Sequence, residues 1–299
     1  MGSAILPMAE MLLTKPSPLR TRIRSRATNR FHETPVTSVR TIPTLPALST
    51  RACRDAARSR AAPRLVACAA ALIAAAPQTQ AADTCRTQSR PQPPAVVELF
   101  TSEGCSSCPP ADRWASRLKG RDDVLVLGFH VTYWNRLGWP DRFANAQTTE
   151  RQYLLQRAMG APYVYTPQVV ANGKDLRAWS SSKLEPLPAS PITVTLEREG
   201  NAVRASIGGA APSQRLAGYW AVLEDGHSSR VKAGENAGET LAHDHVVTLY
   251  RPVAEWDATA SPRSFTIDLP PATSASRRVA FIVTDAAGAK PMQAVALGC

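Results

Sequence analysis

The sequence contains no apolar run of the roughly 20 residues that a membrane-spanning helix needs. The run from Leu65 to Ala76 has twelve residues, and we therefore expect no stable membrane span. Acidic residues are scarce at the start: residues 1–82 hold twelve of the 35 basic residues but three of the 24 acidic ones, a net charge of +9. The other 217 residues carry only +2 of the total of +11. The basic charge belongs to this leading segment, so we expect no nucleic-acid partner.

The leading segment has the pattern of a targeting sequence. A basic run over residues 51–64 precedes the apolar run 65–76, and small residues follow up to Ala81. These match the three parts of a signal peptide. We expect cleavage near Ala81, and export of the mature chain to the periplasm or medium of a bacterium. A core helix is the alternative for residues 65–76, and an organelle transit peptide is the alternative for residues 1–50.

Only one C-x-x-C motif occurs, from Cys105 to Cys108, so a zinc site of four thiolates is disfavoured. After residue 82 the chain has two other cysteines, Cys85 and Cys299. An even number in an exported chain is compatible with two disulfides. Because the C-x-x-C cysteines pair locally, we predict a structural disulfide between Cys85 and Cys299, joining the ends of the mature chain. Free or intermolecular thiols are the alternative.

The chain after residue 82 shows no internal repeat, and its composition changes near residues 186–191. Before that point, apolar runs at 95–100, 124–131 and 167–171 predict strands, and residues 111–118 and 141–159 predict helices. Beyond it, short alternating runs are separated by turn residues. We predict an α/β thioredoxin-like domain over residues 83–188, followed by an all-β, antiparallel sandwich-like domain over residues 189–299.

The C-x-x-C motif lies in a strand–turn–helix context. Pro109 and Pro110 suit the first turn of a helix, where a missing N–H costs nothing. This context places Cys105 at the N-terminus of the helix, which favours negative charge and so lowers the pKa of its thiol. We predict that Cys105 is the exposed attacking thiol and Cys108 the resolving thiol. An inert structural disulfide and metal capture are the alternatives.

Other residues are candidates for the same site. Thr166 and Pro167 predict a cis-proline before a strand, with an ordinary trans bond as the alternative. Glu98 lies in an apolar strand, so it is either a buried proton carrier for the Cys pair or a group that faces solvent or caps a neighbour. Trp134 and Trp139 either line a peptide groove or pack a loop onto the core.

The histidines give no convincing metal site. His130 alone is more typical of a satisfied core residue. A strand would place His243 and His245 on one face, as a transition metal requires, but no third ligand is evident. We expect no metal site and no organic cofactor, because the electrons of a Cys pair reside on its sulfurs.

Several motifs together resemble a known family, the secreted thioredoxin-like proteins called domain of unknown function 1223. The resemblance covers roughly residues 95–295 and is most specific at its beginning. It implies an export signal, a thioredoxin-like half and a β-rich half, but no substrate. The chain departs from the family pattern at Thr132, Asn135 and His245. The motifs are residues 96–112, 129–131, 133–134, 137–139, 165–168, 172–173, 234–236, 238, 240–241 and 243.

The sequence thus predicts an exported thiol–disulfide oxidoreductase that acts on protein or small-thiol substrates with a redox partner; the oligomeric state stays open. The alternatives are an exported binding module with an inert disulfide and a copper-handling protein. An exposed Cys105 beside a buried Cys108 and a cis-Pro167 would favour redox function. A fully buried pair would favour the inert module, and a histidine within coordination reach would favour metal.

Overall fold

The described part of the chain is rich in strands. The computed structural model describes residues 84–299 except Pro212 and Ala260; the predicted signal peptide lies outside these residues. Within them there are two α-helices, α1 (Pro109–Ser116) and α2 (Ala146–Ala158), and one 3-10 helix, Thr132–Leu137. The strands are β1 (Thr84–Gln88), β2 (Ala95–Thr101), β3 (Val124–His130), β4 (Gln168–Ala171), β5 (Lys174–Asp175), β6 (Thr193–Glu199), β7 (Ala202–Gly208), β8 (Arg215–Asp225), β9 (His227–Arg230), β10 (Thr240–His243), β11 (Val246–Asp257), β12 (Arg263–Asp268), β13 (Ser276–Asp285) and β14 (Pro291–Leu297).

An eight-stranded mixed sheet has the order β14-β13-β8-β11-β3-β2-β4-β5. Strands β2 and β3 are parallel and α1 lies between them in the chain, while β4 runs antiparallel to β2. Strand β11 meets β3 at Gly128, whose N–H donates to the His245 carbonyl at 2.8 Å. A Cβ at Gly128 would lie 3.1 Å from that oxygen. Glycine therefore permits the close backbone approach that joins the two parts of the sheet.

A second sheet is antiparallel, with the order β1-β6-β7-β12, and β9 and β10 form a separate two-stranded hairpin. One apolar cluster contains side chains of β6, β7 and β12 together with side chains of β8, β13 and β14. The fold class is therefore mixed α/β, with a mixed sheet and additional antiparallel sheets. Strands from both sides of the predicted boundary at residues 188/189 share the large sheet, and the boundary itself stays a prediction.

The two helices cover opposite faces of β2. Val97 and Leu99 belong to the apolar cluster that includes α1, whereas Val96 and Phe100 belong to the cluster that includes Leu155 of α2. Alternate side chains of a strand point to opposite faces, so Glu98 shares the face of Val96 and Phe100. No helix in the described part of the chain is long and apolar enough to cross a membrane.

Local sequence signals account for the element boundaries. Helix α1 begins at Pro109, with prolines in its first two positions. Helix α2 is shorter than the predicted 141–159, because Asn145 forms a capping box with Thr148 and starts the helix at Ala146. Asn172 and Gly173 both have positive φ, 50° and 79°, as the predicted tight hairpin between β4 and β5 requires.

Candidate functional site

The Cys105–Cys108 disulfide lies in the turn between β2 and α1. The two Cα atoms are 5.5 Å apart, and both residues are fully buried, with 0% exposure. Ser106 and Ser107 between them are exposed. The prediction that Cys105 is exposed is therefore wrong in this state of the protein. By the criterion stated above, this burial favours an inert disulfide.

The helix begins after Cys108. Cys108 is the N-cap residue of α1, and its N–H donates to the Cys105 carbonyl at 3.2 Å. Cys105 lies one turn earlier, where its own N–H donates to the Ser102 carbonyl at 3.2 Å. This corrects the prediction that Cys105 itself occupies the helix N-terminus. The Cys105 sulfur has a polar contact with the Ser107 hydroxyl: Cys105 Sγ and Ser107 Oγ are 3.4 Å apart.

A buried polar cluster lies beside this turn. It brings together Glu103, two residues before Cys105, and Asp112, four residues after Cys108. The imidazole of His243 connects them: Nε2 is 3.3 Å from Glu103 Oε1, and Nδ1 is 3.9 Å from Asp112 Oδ2. Among the described residues neither Glu103 Oε1 nor His243 Nε2 has a partner with hydrogen-bond geometry.

A second imidazole completes the cluster. His130 Nδ1 is 2.7 Å from Asp141 Oδ2, and its ring centroid is 4.9 Å from that of His243. The Asp141 carboxylate also accepts from the backbone N–H groups of Glu103 and Phe143, at 2.9 and 3.0 Å. Asp141 therefore fixes the backbone that leads into the cysteine turn.

Burial and neighbouring charges move the pKa values of this cluster in different directions. Burial raises the pKa of the Asp112 carboxyl, despite the nearby imidazoles of His243 and His130. Burial works to lower the pKa of His130, but the Asp141 carboxylate outweighs it and raises that pKa. Burial likewise works to raise the pKa of Asp141, but His130 holds it below its usual value. The cluster can therefore hold protons close to the cysteine turn.

Glu98 does not belong to this cluster. On the α2 face of β2 its carboxylate accepts from Arg151 Nε and Nη2, at 2.7 and 3.0 Å, and from the Tyr219 hydroxyl at 3.1 Å. Glu98 and Arg151 are each 1% exposed. The structure thus places Glu98 in a buried ion pair: it is buried and does not face solvent, and its role as a proton carrier for the Cys pair stays a prediction.

The predicted substrate-binding residues Trp134 and Trp139 lie next to Gly104 and Glu103, which precede Cys105. The Trp134 indole donates to Thr166 Oγ1 at 2.7 Å, and a Cβ at Gly104 would lie 3.2 Å from Trp134 Cβ. The Thr166–Pro167 peptide bond is cis. The Trp139 indole donates to Glu103 Oε2 at 2.7 Å. Both tryptophans are partly buried, and their role in substrate binding stays a prediction.

His243 and His245 do not share a strand face. Strand β10 ends at His243, whereas His245 lies in the following turn with φ 59°. His245 Nδ1 accepts from Arg278 and its ring is near Asp225, away from the partners of His243. In the described part of the chain, no group of three or more His, Cys, Asp and Glu side chains is arranged to hold a metal ion.

A loop from the distant part of the sequence lies on the cysteine turn. This cover loop, residues 231–239, connects β9 to β10. Its Glu235 carboxylate accepts from the Ser106 N–H at 2.9 Å and from the Ser106 hydroxyl at 2.8 Å. Its Asn236 amide donates to the carbonyls of Glu103 and Cys105, both at 2.9 Å. The cover loop therefore contacts Cys105 and residues on both sides of it in the sequence.

Two more cysteines of the described residues, far apart in the sequence, lie next to each other in the fold. Cys85, in β1, is joined to Cys299, with the Cα atoms 6.5 Å apart, within the range that disulfides span. β1 pairs with β6, and its residues also lie near β14. The fold therefore brings both ends of the described chain together. The pairing of Cys85 with Cys299 stays a prediction.

Sequence reasoning missed most of the polar cluster. Glu103 and Asp112 lie inside the most specific family motif, but in that motif the sequence analysis considers a chemical role only for Glu98 and the two cysteines. Glu235 and Asn236 lie in the family motif at residues 234–236. Nothing in the sequence indicates that this motif contacts the cysteine turn. Asp141 could not be found from its neighbours in the sequence. Its partners are distant: Glu103 lies 38 residues earlier and His130 lies 11 residues earlier.

These observations define a class of protein: a mixed α/β chain with a close C-x-x-C disulfide at the start of a helix. The chain belongs to the family described as protein of unknown function DUF1223, whose model matches residues 96–284. The resemblance drawn from the sequence motifs is therefore confirmed.

Two solved structures are similar. The crystal structure of protein AGR_C_4864 from Agrobacterium tumefaciens is 30% identical, with a TM-score of 0.52; the match covers 68% of this chain and 93% of that one. HBP35 of Porphyromonas gingivalis is 16% identical, with a TM-score of 0.48, over 69% of this chain and 74% of that one. The comparison with curated proteins finds no match.

Proposed function

We propose that this chain is an exported thiol–disulfide oxidoreductase with a thioredoxin-like N-terminal part, and that Cys105 and Cys108 are its redox pair. The observation that carries the proposal is the closed Cys105–Cys108 disulfide between β2 and α1. The parallel β2–α1–β3 arrangement supports the thioredoxin-like assignment. The partners would be exported thiols or disulfides and a separate redox protein, and no organic cofactor is required.

The reaction balances on the sulfurs alone. In the reduced form, the Cys105 thiolate attacks a substrate disulfide, forming a mixed disulfide and releasing one substrate thiolate. Cys108, as a thiolate, then attacks Cys105 Sγ, closes the Cys105–Cys108 bond and releases the second substrate thiolate. Each released thiolate takes up a proton. In the opposite direction, a substrate dithiol reduces the pair and becomes a disulfide.

The polar cluster supports this proposal because proton transfer accompanies each step. The Asp112 carboxyl, whose pKa is raised by burial, follows Cys108 by one helical turn and lies beside His243. A buried acid with a raised pKa keeps its proton to a higher pH than an ordinary carboxyl and can donate it to a neighbouring group. We assign Asp112 as a proton-holding residue of this site.

The alternative is a non-enzymatic binding module with an inert disulfide. It rests on one observation, the 0% exposure of both cysteines. The reduction potential separates the two functions. Thiol–disulfide oxidoreductases lie between about −120 and −270 mV, and structural disulfides typically lie below about −300 mV. Equilibration with dithiol buffers, read by alkylation and mass spectrometry, should place Cys105–Cys108 in the first range.

The cysteine variants test the mechanism. With a disulfide-bonded peptide as substrate and dithiothreitol as electron source, Cys105→Ser should lose turnover because the nucleophile is gone. In a separate reaction, Cys108→Ser that has been reduced and freed of dithiothreitol should accumulate a mixed disulfide with the peptide at Cys105, visible by non-reducing mass spectrometry, because attack survives and resolution does not. The Cys85→Ser/Cys299→Ser double variant is the matched control and should retain turnover. Turnover that survives in Cys105→Ser would overturn the assignment.

A further inference from the structure

Thiol–disulfide exchange needs in-line access to a sulfur, yet both cysteines are buried in the closed structure. A segment of the protein must therefore move before Cys105 reacts. The exposed Ser106 and Ser107 show that the disulfide lies just beneath the surface. The movement that uncovers it need not involve the core of the fold.

We propose that the cover loop, residues 231–239, is a lid that controls access to the Cys105–Cys108 disulfide, with Glu235 and Asn236 as its latch. This inference rests on the proposed function and concerns the regulation of that same site. The close approach of the loop backbone to the backbone of the cysteine turn supports this proposal. The Glu235 N–H donates to the Gly104 carbonyl at 3.4 Å, and a Cβ at Gly234 would lie 3.4 Å from Gly104 Cα.

The loop is built to move as a unit. Its ends are tied to each other, because the Gly238 N–H donates to the Val231 carbonyl and the Val231 N–H donates to the Glu239 carbonyl, both at 2.9 Å. Among the described strands, β9 and β10, at the base of the loop, pair only with each other and belong to neither large sheet. Opening the loop therefore breaks no ladder of the eight-stranded or four-stranded sheet.

The latch has an exposed and a buried half. Glu235 is exposed and accepts two hydrogen bonds from Ser106, whereas Asn236 is 6% exposed and donates to the two carbonyls that flank Gly104. Hydrogen bonds from exposed groups contribute modestly, so a substrate that competes for Ser106 can release the first half. Release of Asn236 then frees the backbone at Cys105.

The test measures reduction of the folded protein by a neutral phosphine, tris(hydroxypropyl)phosphine. The phosphine and one water become phosphine oxide while the disulfide becomes two thiols, so neither a thiol substrate nor turnover is needed. Freed thiols are alkylated and assigned to Cys105 and Cys108 by mass spectrometry. A neutral reductant prevents a charge effect when Glu235 is replaced.

Glu235→Ala should raise the rate of Cys105–Cys108 reduction roughly three- to tenfold, and Asn236→Ala should raise it further, because each removes two latch hydrogen bonds. Glu239→Gln, at an exposed glutamate of the same loop, is the matched control and should keep the wild-type rate. Because Glu235 is exposed, its variant should fold normally, which an unchanged unfolding transition verifies.

The urea dependence of the rate identifies the opening motion. A lid exposes little surface, so the wild-type rate should rise only weakly with urea below the unfolding transition. A rate that follows the full urea dependence of global unfolding, or one that is equal in wild type, Glu235→Ala and Asn236→Ala, would overturn the lid. If the lid is confirmed but the Cys105-dependent turnover is absent, the oxidoreductase proposal fails separately.

Discussion

At the scale of single residues, the His130–Asp141 pair has the clearest consequence for stability. Its two side chains are 2% and 0% exposed, so solvent screens their interaction little. The raised pKa of His130 means that the folded state binds a proton more tightly than the unfolded state does. This stabilisation is fully present below the unfolded histidine pKa, about 6.5, and is lost as the pH rises through the folded pKa.

We therefore predict that the free energy of unfolding falls as the pH rises above about 6.5. The lowered pKa of His245 affects stability only below that pH, and the lowered pKa of Asp141 acts only in acid. The measurement is urea unfolding at a series of pH values with both disulfides intact.

Asp141→Asn is the control for this pH dependence. It removes the charge that raises the His130 pKa but keeps an oxygen that accepts from the Glu103 N–H. The decline in stability above pH 6.5 should therefore be shallower in Asp141→Asn. An equal decline in both proteins would show that the pair is not its cause.

At the scale of elements, a buried ion pair between Arg151 and Glu98 connects α2 to β2 of the large sheet. Arg151 donates to the Glu98 carboxylate and also to the Gly288 carbonyl, and its guanidinium lies 4.5 Å from the Tyr219 ring centroid. Removing one partner of a buried ion pair leaves the other charge uncompensated, which costs about 3–5 kcal/mol. The pair therefore contributes to the docking of α2 on β2.

We predict that Glu98→Gln lowers the free energy of unfolding by about 3 kcal/mol or more, without changing the disulfide exchange rate of the folded molecules. Chemical denaturation measures the first effect, and the peptide assay corrected for folded protein measures the second. Arg157→Gln, in an exposed ion pair of the same helix, should change stability by less than about 1 kcal/mol. A large loss of exchange in folded Glu98→Gln would instead restore Glu98 as a proton carrier for the cysteines.

At the scale of the whole molecule, the Cys85–Cys299 disulfide encloses nearly all of the described chain, with a sequence separation of 214. In the chain-entropy model, a crosslink stabilises by restricting the unfolded chain, and more so for longer loops. A loop of this length corresponds to about 5 kcal/mol, against about 2 kcal/mol for the short loop between Cys105 and Cys108.

We predict that Cys85→Ser/Cys299→Ser lowers the free energy of unfolding by about 2–5 kcal/mol, and by more than Cys105→Ser/Cys108→Ser does. Urea unfolding of both double variants beside the wild type measures the difference. Non-reducing peptide mapping that finds Cys85 free, or joined to Cys105, would contradict the pairing itself.

The sequence alone determined the features that are encoded over a few residues. The apolar run of β2, the C-x-x-C spacing, the prolines at the start of α1 and the Asn172–Gly173 turn each predict local backbone geometry, and the structure has them where they were expected. The family followed from the same short motifs. Such signals act through propensity, chain stiffness and turn chemistry, which depend on near neighbours.

Only the tertiary structure decided how the cysteine site is enclosed. Glu235 and Asn236 reach Ser106 and Cys105 across 129 and 131 residues, and His243 reaches Glu103 across a comparable span. Nothing in the sequence near Cys105 indicates that it is buried, nor that Glu98 is neutralised by Arg151. Burial and charge pairing depend on which distant segments pack together, and local patterns leave that packing open because many topologies satisfy the same patterns.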